Sequence, residues 1–202
     1  RLNVHPSLLP KYRGSAPIHW PILNGDTETG VSIIDIAEKL DAGDIYYQEK
    51  IAIDPRANAS ELASELARLS YGILKKVLAQ VQEGQLHGTP QNEAEATLAP
   101  QLSKQNGELS FSAMTAEAMD RKVRGLQPWP GAYCFINGER IVLLETDIPG
   151  AATSEKAGTL IAIDKEGSIQ VATQDGVLKF LKVKPEGKKP MSAADFARGR
   201  HL

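Results

Sequence analysis

Between residues 58 and 84 apolar side chains recur at Leu62, Leu66, Leu69, Ile73, Val77 and Val81, with spacings of 4, 3, 4, 4 and 4. That spacing keeps one face of an α-helix apolar. Asn58 or Ser60 can cap its start, and Gly84 can end it. Upstream the period changes to two. "GVSIIDI" (30–36) is β-branched and apolar, a strand. In "DIYYQEKIAI" (44–53), Ile45, Tyr47, Glu49, Ile51 and Ile53 share one face of a second strand. "AEKLDAG" connects the two. At the start of the chain, "RLNVHPSLLPKYRG" puts Asn3 and His5 on the same face of a strand-like segment that Pro6 stops.

Residues 85–108 lose the periodicity and carry Gly, two Pro and many small polar residues, a linker composition. A short helix follows over about 115–125, with Met119 and Val123 inward. The remainder alternates as strands. "AYCFING" and "ERIVLLETDI" flank an Asn137-Gly138 turn, a strong hairpin signal. Further turns are expected at Lys165-Glu166-Gly167 and Gln174-Asp175-Gly176. Short strands at this spacing predict a small β-barrel of OB-like type. A last short helix is expected around Ser192–Arg198, capped by Ser192 with Asp195 at its third position. The division expected is an α/β part over 1–86, a linker over 87–105 and a β-barrel over 106–202. The α/β part has too few strands to stand alone. It is expected to be the C-terminal half of a doubly wound, Rossmann-like domain whose first half precedes residue 1.

Composition changes the picture in three ways. A formal net charge of −2 over 202 residues excludes binding to nucleic acid through bulk charge. The charge is uneven, however: residues 178–202 hold seven Lys/Arg against Glu186 and Asp195. A single cysteine, Cys134, excludes an internal disulfide framework and suits a reducing compartment. With no apolar run of membrane-spanning length, the expected location is the cytoplasm. His5, His19, His87 and His201 show no metal-ligand spacing, so no metal is expected.

Taken together, "NVHPSLLPKYRG" (3–14) and "LDAGD" (40–44) resemble the formyltransferase family that uses 10-formyltetrahydrofolate. "LQPWPGAY" (126–133), the Asn-Gly hairpin and "KPEGKKPMSA" (184–193) extend the resemblance to the members that formylate methionyl-tRNA. The resemblance implies an enzyme that moves a formyl group from 10-formyltetrahydrofolate, a co-substrate rather than a bound cofactor, to the amino group of initiator methionyl-tRNA. It implies catalytic roles for Asn3, His5 and Asp41. Ser7, Leu8, Leu9 and Pro10, with Leu40, Ala42, Gly43 and Asp44, are the implied folate contacts. Lys179, Lys182, Lys184, Lys188 and Lys189 are the candidate tRNA contacts, and a monomer is expected at full length.

The residue types suit this chemistry. Formyl transfer passes through a tetrahedral carbon bearing an oxyanion, which needs a hydrogen-bond donor and a route for the amine proton. The Asn3 amide can donate or accept. His5 can donate if protonated, and Asp41 is its natural anionic neighbour. Gly43 is read as the site of a positive φ or of a close backbone approach to the pteridine. Other residues have plainer readings. His19 is expected to be packed or partly exposed, Trp20 to be core, Asp35 to face solvent or a partner, and Asp44 to be a loop acceptor. Trp129 is expected to be a packing anchor, and Cys134 buried and inert.

Two other functions fit parts of the pattern. One is formylation of an amino sugar on a nucleotide by the same three residues. The other is a non-catalytic RNA-binding barrel. Base-stacking barrels carry several aromatics on one face. Here Tyr133, Phe135 and Phe180 are few and spread along the sequence.

Overall fold

The computed structural model describes residues 1–163 and 167–200. The turn expected at Lys165-Glu166-Gly167 lies largely outside the described residues, and His201 lies outside them entirely. The chain divides into two compact units, Arg1–Leu102 and Ser103–Leu202.

The first unit contains β1 (Leu2–His5), β2 (Arg13–Gly14), α1 (His19–Asn24), β3 (Glu28–Asp35), β4 (Ile45–Ala52), α2 (Ala59–Gln82) and β5 (Leu98–Ala99). β3 lies between β1 and β4 and runs antiparallel to both. As the middle strand it is buried along almost its whole length, which is why its apolar residues do not alternate with exposed ones. Parallel pairing of strands, which a doubly wound sheet would favour, is found among the described residues of this unit between β2 and β5.

α2 lays Leu62, Leu66, Ile73 and Val77 against Val31, Ile33 and Ile53. Each step of four residues overshoots a full helical turn by about 40°. The repeated fours therefore carry the stripe off the core, and Val81 is 46% exposed. The start of α2 is a complete capping box. Asn58 Oδ1 accepts from the N–H groups of Ser60 and Glu61 at 2.9 and 3.0 Å, and Glu61 accepts from the Asn58 N–H at 2.9 Å. Asn58→Ala should cost about 1 kcal/mol of stability, while Asn58→Ser should lie close to the parent. Equal urea midpoints for Asn58→Ala and the parent would show that the cap does not matter.

The stretch expected as a linker is largely built into the first unit. Ile45 and Thr89 exchange backbone hydrogen bonds of 2.8 and 2.9 Å. The Thr97 N–H donates to the Pro10 carbonyl at 3.2 Å, and the Arg13 N–H donates to the Thr97 carbonyl at 2.9 Å. Its partners are backbone groups far away in the chain, and these impose no local period.

The second unit contains α3 (Ala116–Gly125), β6 (Ala132–Ile136), β7 (Glu139–Asp147), β8 (Leu160–Ile163), β9 (Ile169–Ala172), β10 (Val177–Pro185), β11 (Met191–Ser192) and α4 (Ala193–Arg200). The strands follow the order β6-β7-β10-β9-β8, with β11 on β10. Met119, Val123, Ile141, Leu143, Ile169, Phe180 and Phe196 form the core. Asn137 and Gly138 both have positive φ, 49° and 80°, as the tight hairpin turn requires. The small barrel expected from the strand spacing is not seen to close. Among the described residues no pairing joins β6 to β8. The free edge of β6 is instead met by the 108–109 segment, where the Leu109 N–H donates to the Tyr133 carbonyl at 2.9 Å.

Trp129 is not the expected packing anchor, since it is 51% exposed. Leu126 is the fully buried side chain of that stretch. Gln127 ties α3 to β7 by donating to the carbonyls of Val123 and Leu144, each at 2.8 Å. Cys134 is buried, and burial pushes its thiol up to about 12, so it stays protonated and unreactive.

Candidate active site

The end of β1 and the 40–44 loop meet at a cavity of about 630 Å³ in the first unit. Asn3, His5, His19, Leu40 and Asp41 are among the residues lining it. Asp41 lies 36 residues beyond His5 in sequence. The fold nevertheless places its Oδ2 3.6 Å from His5 Nδ1, an ion-pair distance slightly longer than a hydrogen bond. Both side chains are well shielded, at 5% and 12% exposure.

The ring of His5 has a defined proton arrangement. Its Nε2 lies 3.0 Å from the Tyr12 carbonyl oxygen. A carbonyl can only accept, so Nε2 carries the hydrogen and Nδ1 is left facing Asp41. Nδ1 is therefore the ring position at which a proton can be taken up or released, and it faces the carboxylate. Tyr12 reaches this position with φ at +65°. Its N–H donates to Thr97 Oγ1 at 2.9 Å and its hydroxyl to Asp26 at 2.7 Å. Burial, and then the Asp26 bond, push that hydroxyl up to about 12, so it remains a donor at neutral pH.

Asp41 is held from two sides. Its Oδ2 accepts from the Gly14 N–H at 2.9 Å. Its backbone is left-handed, with φ at +50°. Asp and Asn tolerate that region better than most side chains. Gly43 was read as the left-handed or close-approach position. The positive φ falls on Asp41 instead, and the close approach at Gly43 is to protein: a Cβ there would overlap both the Asp35 carbonyl oxygen and Asp35 Oδ1.

The other expected folate contacts are placed unequally. Leu40 lines the cavity and is 70% exposed. Ser7, Leu8, Leu9 and Pro10 do not line it. Ser7 is buried with its hydroxyl on the Lys11 carbonyl at 2.7 Å. Leu9 is buried, with its N–H on Ser32 Oγ at 3.1 Å. Leu8 borders a second, smaller cavity with Tyr12 and Asp26, and the Pro10 carbonyl is taken by Thr97. Ala42 and Asp44 shape the loop: the Ala42 N–H donates to the Lys39 carbonyl, and the Asp44 carbonyl accepts from the Asp35 N–H.

Sequence reasoning passed over two kinds of residue here. His19, expected to be packed or partly exposed, is half-buried and lines the cavity, and Trp20 is half-buried with its Nε1–H on the Pro100 carbonyl at 2.9 Å. The second kind is one hydrogen-bonded chain of Gln91, Arg13 and Glu93, of which Arg13 lines the cavity and the other two do not. Arg13 holds the Glu93 carboxyl below the usual carboxylate range. The only signal for this chain in the sequence is an arginine beside a glycine in "KYRG" and a polar "PQNE" far downstream. Among the described residues no group of His, Cys, Asp and Glu could hold a metal ion.

In the second unit, Lys182 and Lys184 lie exposed on β10, and Lys188 and Lys189 are exposed in the turn beyond it. Lys179, also on β10, is half-buried. The aromatics are less scattered than their sequence spacing suggested. Tyr133 and Phe135 stack edge to face with centroids 5.9 Å apart, and the Arg140 guanidinium lies 3.9 Å from the Tyr133 ring centre. Phe180 is in the core.

A His–carboxylate pair at a cavity that Asn3 also lines, in a unit followed by an antiparallel β unit, describes a two-part α/β protein. Residues 1–78 match the family described as formyl transferase, and residues 101–201 match the formyl transferase C-terminal domain. The chain belongs to the formyl transferase family. The methionyl-tRNA formyltransferase of Lactobacillus acidophilus is 42% identical over 98% of this chain and 63% of its own length. That of Bacillus subtilis is 36% identical over the whole of this chain and 63% of its own. The chain thus spans under two thirds of the relatives it matches. HypX from Aquifex aeolicus, solved in complex with tetrahydrofolic acid, superposes with a TM-score of 0.74 at 21% identity, over 97% of this chain and 34% of its own. The N-formyltransferase from Helicobacter canadensis, solved with folinic acid and dTDP-3-aminofucose, superposes at 0.70 and 21% identity, over 89% and 64%. The architecture is the formyltransferase fold, with mixed α/β structure.

Proposed function

We propose that the protein containing this chain transfers the formyl group of 10-formyltetrahydrofolate to the amino group of initiator methionyl-tRNA. The observation that carries the reading is the approach of Asp41 Oδ2 to within 3.6 Å of His5 Nδ1 at the cavity that Asn3 lines. The names of its relatives, at 36–42% identity, favour the tRNA acceptor. In this reading the first unit is the C-terminal half of a doubly wound catalytic domain, and the second is an OB-like tRNA-binding domain. The whole acts as a monomer in the cytoplasm, where initiator tRNA is used.

The residues divide the work as follows. The methionyl nitrogen forms a bond to the formyl carbon, and the bond from that carbon to folate N10 breaks. The amine loses one proton and N10 gains one. The Asn3 amide donates to the formyl oxygen as it becomes an oxyanion. His5 Nδ1, turned toward Asp41 by the bond from Nε2 to Tyr12, exchanges the amine proton with the carboxylate. Leu40, Ala42, Gly43 and Asp44 border the donor. Ser7 to Pro10 support the turn that presents Tyr12.

The test is an acceptor comparison in the protein extended to its relatives' full length. Formyl transfer from labelled 10-formyltetrahydrofolate to methionyl-tRNA is expected, with none to a nucleotide-linked amino sugar. The reverse preference would refute the tRNA reading, and no transfer to either would refute the enzyme. The exposed lysines give a separate expectation. Replacing Lys182, Lys184 and Lys188 with Ala should raise KM for tRNA several-fold and flatten its salt dependence, with kcat at saturation unchanged. An unchanged salt slope would make them an ordinary solvated face.

A further inference from the structure

Gln91 lies behind the 40–44 loop, outside the cavity that Asn3, His5 and Asp41 line. Its Nε2 donates to the carbonyls of Asp41 at 2.8 Å and Gly43 at 2.7 Å. Its Oε1 accepts from Arg13 Nε at 3.1 Å and Arg13 Nη2 at 2.7 Å. The amide orientation is forced by its partners, because an arginine can only donate and a carbonyl can only accept. Arg13 is itself buried, and a fork of two bonds to Glu93, at 2.7 and 3.2 Å, holds its far side. Both amide hydrogens and the amide oxygen of Gln91 are therefore in use.

This arrangement bears on Asp41 specifically. A left-handed backbone costs a residue with a Cβ about 1–2 kcal/mol, and it persists where the surroundings over-determine it. The Asp41 carbonyl direction is set by its ψ, and the Gly43 carbonyl by the far end of the same turn. One NH₂ group holding both carbonyls closes the loop around Ala42. The Gly14 N–H then needs only to receive the carboxylate.

We propose that Gln91 is a positioning residue for formyl transfer: with Arg13 behind it, it locks the 41–43 backbone so that the Asp41 carboxylate faces His5, though it touches neither donor nor acceptor. The proposal rests on the reading of Asp41 as a reacting group.

Gln91→Glu separates the two halves of the amide. The glutamate still accepts from Arg13, but it offers no donor to the two carbonyls and sets a negative charge against them. In the extended protein, Gln91→Glu and Gln91→Ala should each lower kcat about tenfold or more, with KM for both substrates within about twofold. In an Asp41→Asn background the same changes should cost little more, because Gln91 acts through Asp41. Hydrogen exchange at the Gly14 amide should quicken, while the Val31 and Ile33 amides of β3 stay protected and report an intact fold. A Gln91→Glu enzyme with normal kcat would overturn the proposal. So would a full further loss on top of Asp41→Asn. Normal kcat for Asp41→Asn alone would refute the catalytic reading of Asp41 and, with it, this role for Gln91. That result is distinguishable because it appears before Gln91 is touched.

Discussion

Asp41→Asn should lower kcat for formyl transfer by about 10²-fold or more, the scale on which an acid–base group contributes. Asparagine is the informative replacement. It has the size of aspartate, it tolerates the left-handed φ of +50°, and its Oδ1 can still accept the Gly14 N–H. What it removes is the charge 3.6 Å from His5 Nδ1. Asp41→Ala would add backbone strain and an unpaired Gly14 amide, which would confuse the result. His5→Ala should show a loss of similar size, and the double variant little more than either alone, since the two groups act as one pair. Thermal unfolding should move little in Asp41→Asn. Near-normal kcat in either single variant would remove that residue from the reaction.

Gly43→Ala should cost about 1–3 kcal/mol of stability and lower kcat by about 10²-fold. A Cβ at this position would overlap the Asp35 carbonyl oxygen and the near oxygen of the Asp35 carboxylate. The first of these belongs to β3, whose neighbours Ile33 and Ile34 are fully buried, so the strand cannot give way. The loop must move instead, and that breaks the bonds from Gln91 to the Asp41 and Gly43 carbonyls. Asp41 then loses its register with His5. Truncating Asp35 would help little, because its backbone carbonyl remains. Denaturant unfolding with parallel kinetics checks both effects. A Gly43→Ala enzyme that is stable and fully active would show that the loop has slack the geometry does not suggest.

The legible parts of the molecule are those whose partners lie within a turn or a pleat of them. The helix at 59–82 was readable from its period and its Asn58 cap, and the hairpin at 137–138 from its Asn-Gly pair. Asn3 and His5 fell on one face of β1 because strand side chains alternate. The trio with Asp41 was named by resemblance, and the 3.6 Å approach is a property of the fold. What could not be read were features with distant partners. Gln91 bonds Arg13 across 78 residues, so "QNEAE" looked like linker. Of the two readings of Gly43, a positive φ or a close approach, it is a close approach that requires glycine, but to Asp35 across the fold, and Asp41 takes the left-handed turn. Among the described residues the β6 edge is met by residues 108–109, from before α3, a contact the strand spacing did not announce.

By itself the amino-acid sequence determined the local elements, the separation into two units with unlike periodicity, and the residue types able to move a formyl group. Those properties depend on neighbouring side chains and on backbone preferences a few residues long. Only the tertiary structure decided which nitrogen of His5 faces Asp41, which residues line the cavity, and that the 89–99 segment braces the loop. Each of these is a hydrogen bond or a contact between groups far apart in the chain. Its geometry is set by how β1, β3 and the 40–44 loop pack together, and no stretch of the sequence read alone contains it.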